Sequence, residues 1–119
     1  MNEPLIAPEK ICLITDIPGY THDISRLICM MNYARFVTVR SVEKLTVAEL
    51  DYQIDENSNS IGALLMHMAA GDYFYQVGTF EDRDLNEEEM KKWGAALELG
   101  EKARKEIMGN DIEYYLKAM

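Results

Sequence analysis

Cysteine is scarce in this sequence: only Cys12 and Cys29 occur, and they do not form a Cys-X-X-Cys pair. Two cysteines with this separation make neither a disulfide framework nor a zinc knuckle. We therefore expect a reducing, cytoplasmic environment, since disulfide-rich chains belong to oxidising compartments. Both cysteines are expected to pack as small apolar side chains.

Positive charge is also scarce, because 12 Lys and Arg residues stand against 21 Asp and Glu, for a net charge of −9. Binding to nucleic acids and to anionic membranes depends on basic side chains that neutralise phosphates, so neither partner is expected. No long hydrophobic run is present: the strongly apolar stretch 61–71 is too short to cross a bilayer. The first ten residues, MNEPLIAPEK, show no secretory signal.

Proline is confined to the first twenty residues, as Pro4, Pro8 and Pro18. Proline deters helix at its own position and at the preceding residue, so residues 1–20 are predicted to form an extended arm. The segment 11–15, ICLIT, has the composition of a strand, but no second convincing strand exists to pair with it. We expect the arm to pack over the outside of a single helical domain that spans residues 1–119.

Helical spacing of apolar residues predicts three long helices and the start of a further element, at 21–42, 60–79, 87–108 and 111–119. Thr21 or Asp23 can cap the first helix, and Asn59 or Ser60 the second. Asp111 can cap the last element. Asn86 followed by Glu89 fits a capping box for the third helix.

The loops are less regular. The polar stretch 46–59 is predicted to be a loop or a short turn, and Gly78 is expected to end the second helix. That helix is apolar over most of its girth, which predicts burial on two faces. One face comprises Ile61, Leu64, Leu65, Met68, Asp72 and Tyr75, and the adjoining face comprises Ala63, His67, Ala70, Gly71 and Phe74.

Three predicted helices of nearly equal length favour an all-α fold, an antiparallel four-helix bundle. The fourth member has only about ten residues, or about 15 Å of helix. Either the last helix is a stub, or the chain has lost its C-terminal part, or a partner supplies the remaining wall. A second copy of the chain is the expected partner, so we expect a homodimer.

Two histidines are available for chemistry, and His22 reads as a surface residue at the entrance of the first helix. His67 lies in the middle of the second helix among apolar neighbours, where either a hydrogen-bonded core histidine or a metal ligand would fit. A metal site needs at least three protein ligands. No HxxxH, HExxH or CxxC motif supplies the others, and no Gly-rich phosphate loop or specific Ser/His/Asp set is present.

The stretch from Pro18 to Tyr115 resembles the DinB/YfiT-like superfamily, in particular its uncharacterised bacterial members. The residues that carry the resemblance are Pro18-Gly19-Tyr20-Thr21, Met31-Asn32-Tyr33-Ala34-Arg35, Leu45-Thr46, Glu49-Leu50-Asp51-Tyr52, Tyr73-Phe74-Tyr75-Gln76 and Trp93. The most specific match is Asn59-Ser60-Ile61-Gly62 followed by His67, six residues after the isoleucine.

The resemblance implies a four-helix bundle with a long crossover and a divalent metal, zinc or nickel, held by three histidines. His67 would be the first of these ligands, and an HxxxH-type segment on the last helix would supply the others. Family members with known activity are metal-dependent thiol transferases that use bacillithiol or mycothiol, or related isomerases and hydrolases, so a small-molecule thiol substrate is expected. The metal would make a bound thiolate or water reactive.

This sequence departs from the family pattern after residue 111, because both remaining histidine ligands are missing. Two hypotheses follow. The chain is a metal-dependent enzyme of DinB type with an incomplete metal site, or it is a non-catalytic helical interaction and dimerisation module.

Overall fold

The computed structural model describes residues 6–119, and within them the fold is all-α with no strand. The six α-helices are α1 (His22–Val42), α2 (Val47–Asp51), α3 (Ile61–Gln76), α4 (Glu87–Glu98), α5 (Gly100–Glu106) and α6 (Ile112–Ala118). A 3-10 turn covers Pro8–Lys10, and a π-helical turn, Val77–Glu81, follows α3 directly. The predicted all-α class is thus confirmed for the described residues, and the first five residues of the predicted arm lie outside them.

The helix starts follow the predicted caps. Thr21, Ser60 and Asp111 each accept a hydrogen bond from the backbone amide three residues later, and they cap α1, α3 and α6. Asn86 and Glu89 form the full capping box of α4. These starts are predictable because a capping side chain acts on amides of its own first turn.

Three predicted boundaries are wrong. The stretch 46–59 contains a short helix, α2, which begins with a capping box of Thr46 and Glu49. Gly78 does not end the second helix, since the π-helical turn carries the chain on to Asp82, whose φ of 50° ends it. The predicted helix 87–108 is two helices, because Leu99 adopts φ 57° and ψ −151° between α4 and α5.

The described chain separates into two compact units, one up to Glu43 and one from Lys44 to Met119. In the first unit the arm packs on α1 around Ile6, Ile17 and Cys29. The backbone amide of Ile17 donates to Ser25 Oγ over 3.0 Å, and both residues are buried. The described part of the predicted arm is not wholly extended, since it contains the 3-10 turn Pro8–Lys10. Its Ile17 amide nevertheless finds a partner on α1 rather than on a second strand.

The second unit is organised around α3, which contacts α2, α4 and α6. The buried residues of α3 are Gly62, Ala63, Leu65, Met66, Ala69 and Ala70. Small residues dominate this set, so neighbouring backbones come close to the helix. The prediction that α3 is buried on two faces is met only in part. Ala63 and Ala70 of the adjoining face are buried, whereas Phe74 on that face is 43% exposed.

The helices are not of equal length: α1 has 21 residues, α3 has 16 and α4 has 12. The four-helix bundle arrangement and the single domain remain predictions. Among the described residues, no helix is both long and apolar enough to cross a membrane.

Candidate functional site

His67 lies in the middle of α3, half-buried, with its Nδ1 atom 2.8 Å from the carbonyl oxygen of Ala96 in α4. A carbonyl oxygen can only accept, so Nδ1 carries the proton and donates it. In the neutral ring, the remaining nitrogen, Nε2, then holds the lone pair. The single histidine that the sequence singles out is thus a bridge between two helices.

The Ala96 carbonyl is available to His67 because α4 ends two residues later, at Glu98. The last four carbonyls of a helix have no amide partner within it. Leu99, with its positive φ, turns the chain before α5 can continue the α4 ladder. A histidine side chain from a neighbouring helix is one of the groups that satisfy such a carbonyl.

The hydrogen bond of His67 fits two roles. A core histidine satisfied by a backbone carbonyl needs nothing more. A metal-bound histidine also donates its second ring N–H to a carbonyl, which fixes the tautomer and aims the other nitrogen at the metal. Within residues 6–119, however, no group of three His, Cys, Asp or Glu side chains could hold a metal ion. Around His67, the described residues therefore supply one conceivable ligand and no second or third.

His22 takes no part in this arrangement and lies on the surface, as predicted. Its Nδ1 atom lies 2.7 Å from Asp16 Oδ1, and Arg26 Nε donates to its Nε2 over 2.8 Å. These contacts join the arm to the first turn of α1. The residue has a structural explanation that involves no ligand.

The face of α3 away from its helical neighbours forms an exposed apolar stripe, which we define as Ile61, Leu64, Met68 and Tyr75. These side chains expose 38%, 43%, 42% and 71% of their surface, in that order. The sequence predicts this face to be buried, and that prediction is wrong for these four residues. Of the apolar residues predicted on this side, only Leu65 is buried.

A polar network ties the end of α3 to the start of α4. Arg83 donates to Glu89 through Nη1 over 2.8 Å and through Nη2 over 3.0 Å, and the Tyr73 hydroxyl donates to the same carboxylate over 2.7 Å. The Arg83 guanidinium, with the Asn86 amide and the Tyr73 hydroxyl, lowers the pKa of Glu89 to about 2. The hydrogen bond to Glu89 raises the pKa of Tyr73.

This network is structural in character. The Tyr73 ring stacks on the buried ring of Trp93 with centroids 5.5 Å apart. A carboxylate with so low a pKa is a poor general base near neutral pH. These contacts give the rings of Tyr73 and Trp93 a packing role.

Sequence reasoning found His67 but missed its partner. Ala96 carries no side-chain signal, since a backbone carbonyl binds here. The available signal was Gly100, which has φ 68° directly after the break. A glycine at this point favours a helix end, whereas the periodicity placed it on one face of a continuous helix.

Comparison with known proteins gives no assignment: no protein-family model, no curated protein and no solved structure matches this chain. The resemblance to the DinB/YfiT-like superfamily accordingly stays a prediction that rests on the residues quoted for it.

Proposed function

We propose that this chain is a helical interaction module that forms a homodimer through the apolar stripe of α3. The observation that carries the proposal is the exposure of Ile61, Leu64, Met68 and Tyr75 along one side of a single helix. Scattered exposed apolar residues need no explanation, but several exposed apolar residues along one side of a single helix mark an interaction site.

The spacing of the stripe suits a second copy of the same chain. Ile61 and Tyr75 stand seven residues to either side of Met68. Two antiparallel copies of α3 related by a two-fold axis at Met68 would therefore set Ile61 of each against Tyr75 of the other. A two-fold interface requires this kind of self-complementarity. The contact would run over about 21 Å of helix.

The opposite side of α3 is well anchored, which favours binding. The helix contacts α2, α4 and α6, and the buried Ser60 caps its first turn through the Ala63 amide. The stripe is thus held by packing before any partner arrives, so little order has to be gained on association. Asp72 lies on the same side of α3 as the stripe, and it already has an interaction partner within the chain.

Sedimentation equilibrium over a wide concentration range tests the proposal. The wild-type chain should reach a dimer, while Leu64→Glu and Met68→Glu should remain monomeric because each places a charge in an apolar contact. Ile54→Glu is the matched control, since Ile54 is 78% exposed and lies outside the stripe. A monomeric wild type, or a dimer that survives both stripe variants, would overturn the proposal.

The second candidate is a metal-dependent transferase or hydrolase of DinB type, acting on a small-molecule thiol. The hydrogen bond from His67 Nδ1 to the Ala96 carbonyl favours it, because the same bond orients metal-bound histidines. Zinc or nickel is the expected ion from the resemblance. The other ligands would have to come from outside residues 6–119 or from a second molecule.

Titration with Zn²⁺ and Ni²⁺ tests this candidate, with His67→Asn as the key variant. Asparagine keeps an N–H donor for the Ala96 carbonyl but lacks the imidazole lone pair. Specific metal binding that is lost in His67→Asn would support ligation by His67. Absence of binding in the wild type, or equal binding in the variant, would contradict it.

A further inference from the structure

Three sulfur-bearing residues line one cavity in the first unit. The cavity has a volume of about 220 Å³, and its walls are Cys12, Leu13, Ile14, Cys29, Met30 and Tyr33. The first three residues belong to the arm and the others to α1, so the cavity exists because the arm packs along this helix.

The two thiols occupy different depths of this cavity. Cys12 is exposed, whereas Cys29 is buried, with 2% of its surface accessible. The Cys29 thiol donates to the Thr15 carbonyl over 3.5 Å, which orients it toward the arm. Both cysteines are free thiols. One thiol therefore stands at the rim and the other in the interior of the same space.

The remaining lining selects against hard cations. Leu13, Ile14, Met30 and Tyr33 offer no carboxylate or imidazole, while protein sites for Ca²⁺ and Mg²⁺ are built mainly from carboxylate and carbonyl oxygens. Structural zinc sites almost always have four protein ligands, and this cavity offers three sulfur-bearing residues. Thiolate and thioether ligands favour Cu(I), which is stable with two or three of them.

We propose that this cavity binds one Cu(I) ion through the thiolates of Cys12 and Cys29, with Met30 as a third, weaker ligand. Each thiol that binds loses its proton, so binding of one ion releases two protons and is tighter at higher pH. The Cys29 sulfur exchanges its hydrogen bond to Thr15 for the metal bond. This site is independent of the α3 stripe and of His67.

Anaerobic competition against a coloured Cu(I) chelator, bathocuproine disulfonate, tests the proposal. The wild-type chain should bind one Cu(I) per chain. Cys12→Ser should weaken binding by at least about tenfold, since even loss of an outer-shell partner costs that much. Because Cys12 is exposed, this variant should keep the fold, whereas Cys29→Ser needs a circular dichroism check.

The methionine provides a matched pair. Met30→Leu should weaken binding, while Met31→Leu, on the next position of the same helix and similarly exposed, should not. Cu(I) should also protect Cys12 from alkylation by iodoacetamide, read by mass spectrometry. Absence of a one-to-one complex, one ion per two chains, or unchanged binding in Cys12→Ser would each overturn the proposal.

Discussion

The ring of Tyr115 in α6 lies directly over Gly62 in the first turn of α3, so close that a Cβ atom on Gly62 would meet the Tyr115 hydroxyl oxygen at 2.5 Å. Tyr115 is fully buried, and this burial raises the pKa of its phenol. The glycine thus makes room for Tyr115, the largest fully buried side chain among residues 6–119. Docking of the short helix α6 depends on this contact.

Gly62→Ala should destabilise the second unit by about 1–3 kcal/mol, as overpacking of a close contact does. The Tyr115 ring is fully buried, so it has little freedom to move away. Urea denaturation followed by circular dichroism measures the change in the free energy of unfolding. Gly71→Ala is the control within the same helix, since a Cβ at Gly71 meets nothing within 4 Å.

The control should move in the opposite direction. Alanine is favoured over glycine by roughly 1 kcal/mol in a helix interior, so Gly71→Ala should stabilise the protein. If both variants shift the midpoint by the same amount in the same direction, the close approach of Tyr115 to Gly62 is not the cause.

His67→Leu should destabilise the fold by about 1–3 kcal/mol, because the Ala96 carbonyl loses its donor. His67→Asn should recover part of that loss, since its amide nitrogen can donate from a similar position. In thermal unfolding, the wild type should have the highest melting temperature, His67→Asn the next and His67→Leu the lowest. An Asn variant less stable than the Leu variant would contradict a hydrogen-bonding role.

Leu99 has φ 57° and ψ −151°, a conformation that only glycine adopts without strain. We expect Leu99→Gly to be more stable than Leu99→Ala by about 1 kcal/mol, because both variants lose the same side-chain contacts but only glycine relieves the backbone. The order is the reverse of that in a regular helix. The denaturant midpoints of the two variants measure this order of stability. If Leu99→Ala is the more stable variant, the backbone at Leu99 is not strained.

Acid should weaken the link between α3 and α4. Glu89 has its pKa lowered to about 2 from an ordinary value of 4.5, so its contribution to stability is complete above pH 4.5. The contribution is lost as the pH falls toward 2, where the folded state also takes up the proton. The melting temperature of the wild type should therefore fall more steeply across this window than that of Glu89→Gln.

Glu88→Gln is the matched control, since Glu88 is an exposed glutamate in the same helical turn. Its melting temperature should follow the wild-type curve with pH. Equal slopes for wild type and Glu89→Gln would contradict the contribution of the Arg83 contact.

The starts of α1, α3, α4 and α6 could be predicted because each depends on a capping side chain and an amide three residues later. The break between α4 and α5 could not be predicted in this way. Leu99 has a side chain that favours helix, so its residue type gives no sign of the positive φ that it adopts.

The candidate site likewise has one part that the sequence predicts and one part that it does not. His67 could be singled out as a lone histidine among apolar residues on a helix, but its partner is the backbone carbonyl of Ala96, which any residue type would provide. The burial of the α3 faces was partly mispredicted for a related reason. Periodicity shows that two sides of a helix are apolar, yet it does not show how many neighbours are present to cover them.

By itself, the sequence determined the all-α class and the main helix caps, because these rest on local backbone chemistry and apolar spacing. Only the tertiary structure decided which face of α3 is covered, where the predicted helix 87–108 breaks, and which groups meet His67, Gly62 and Cys29. These features depend on contacts between residues distant in sequence, whose energies no local pattern records.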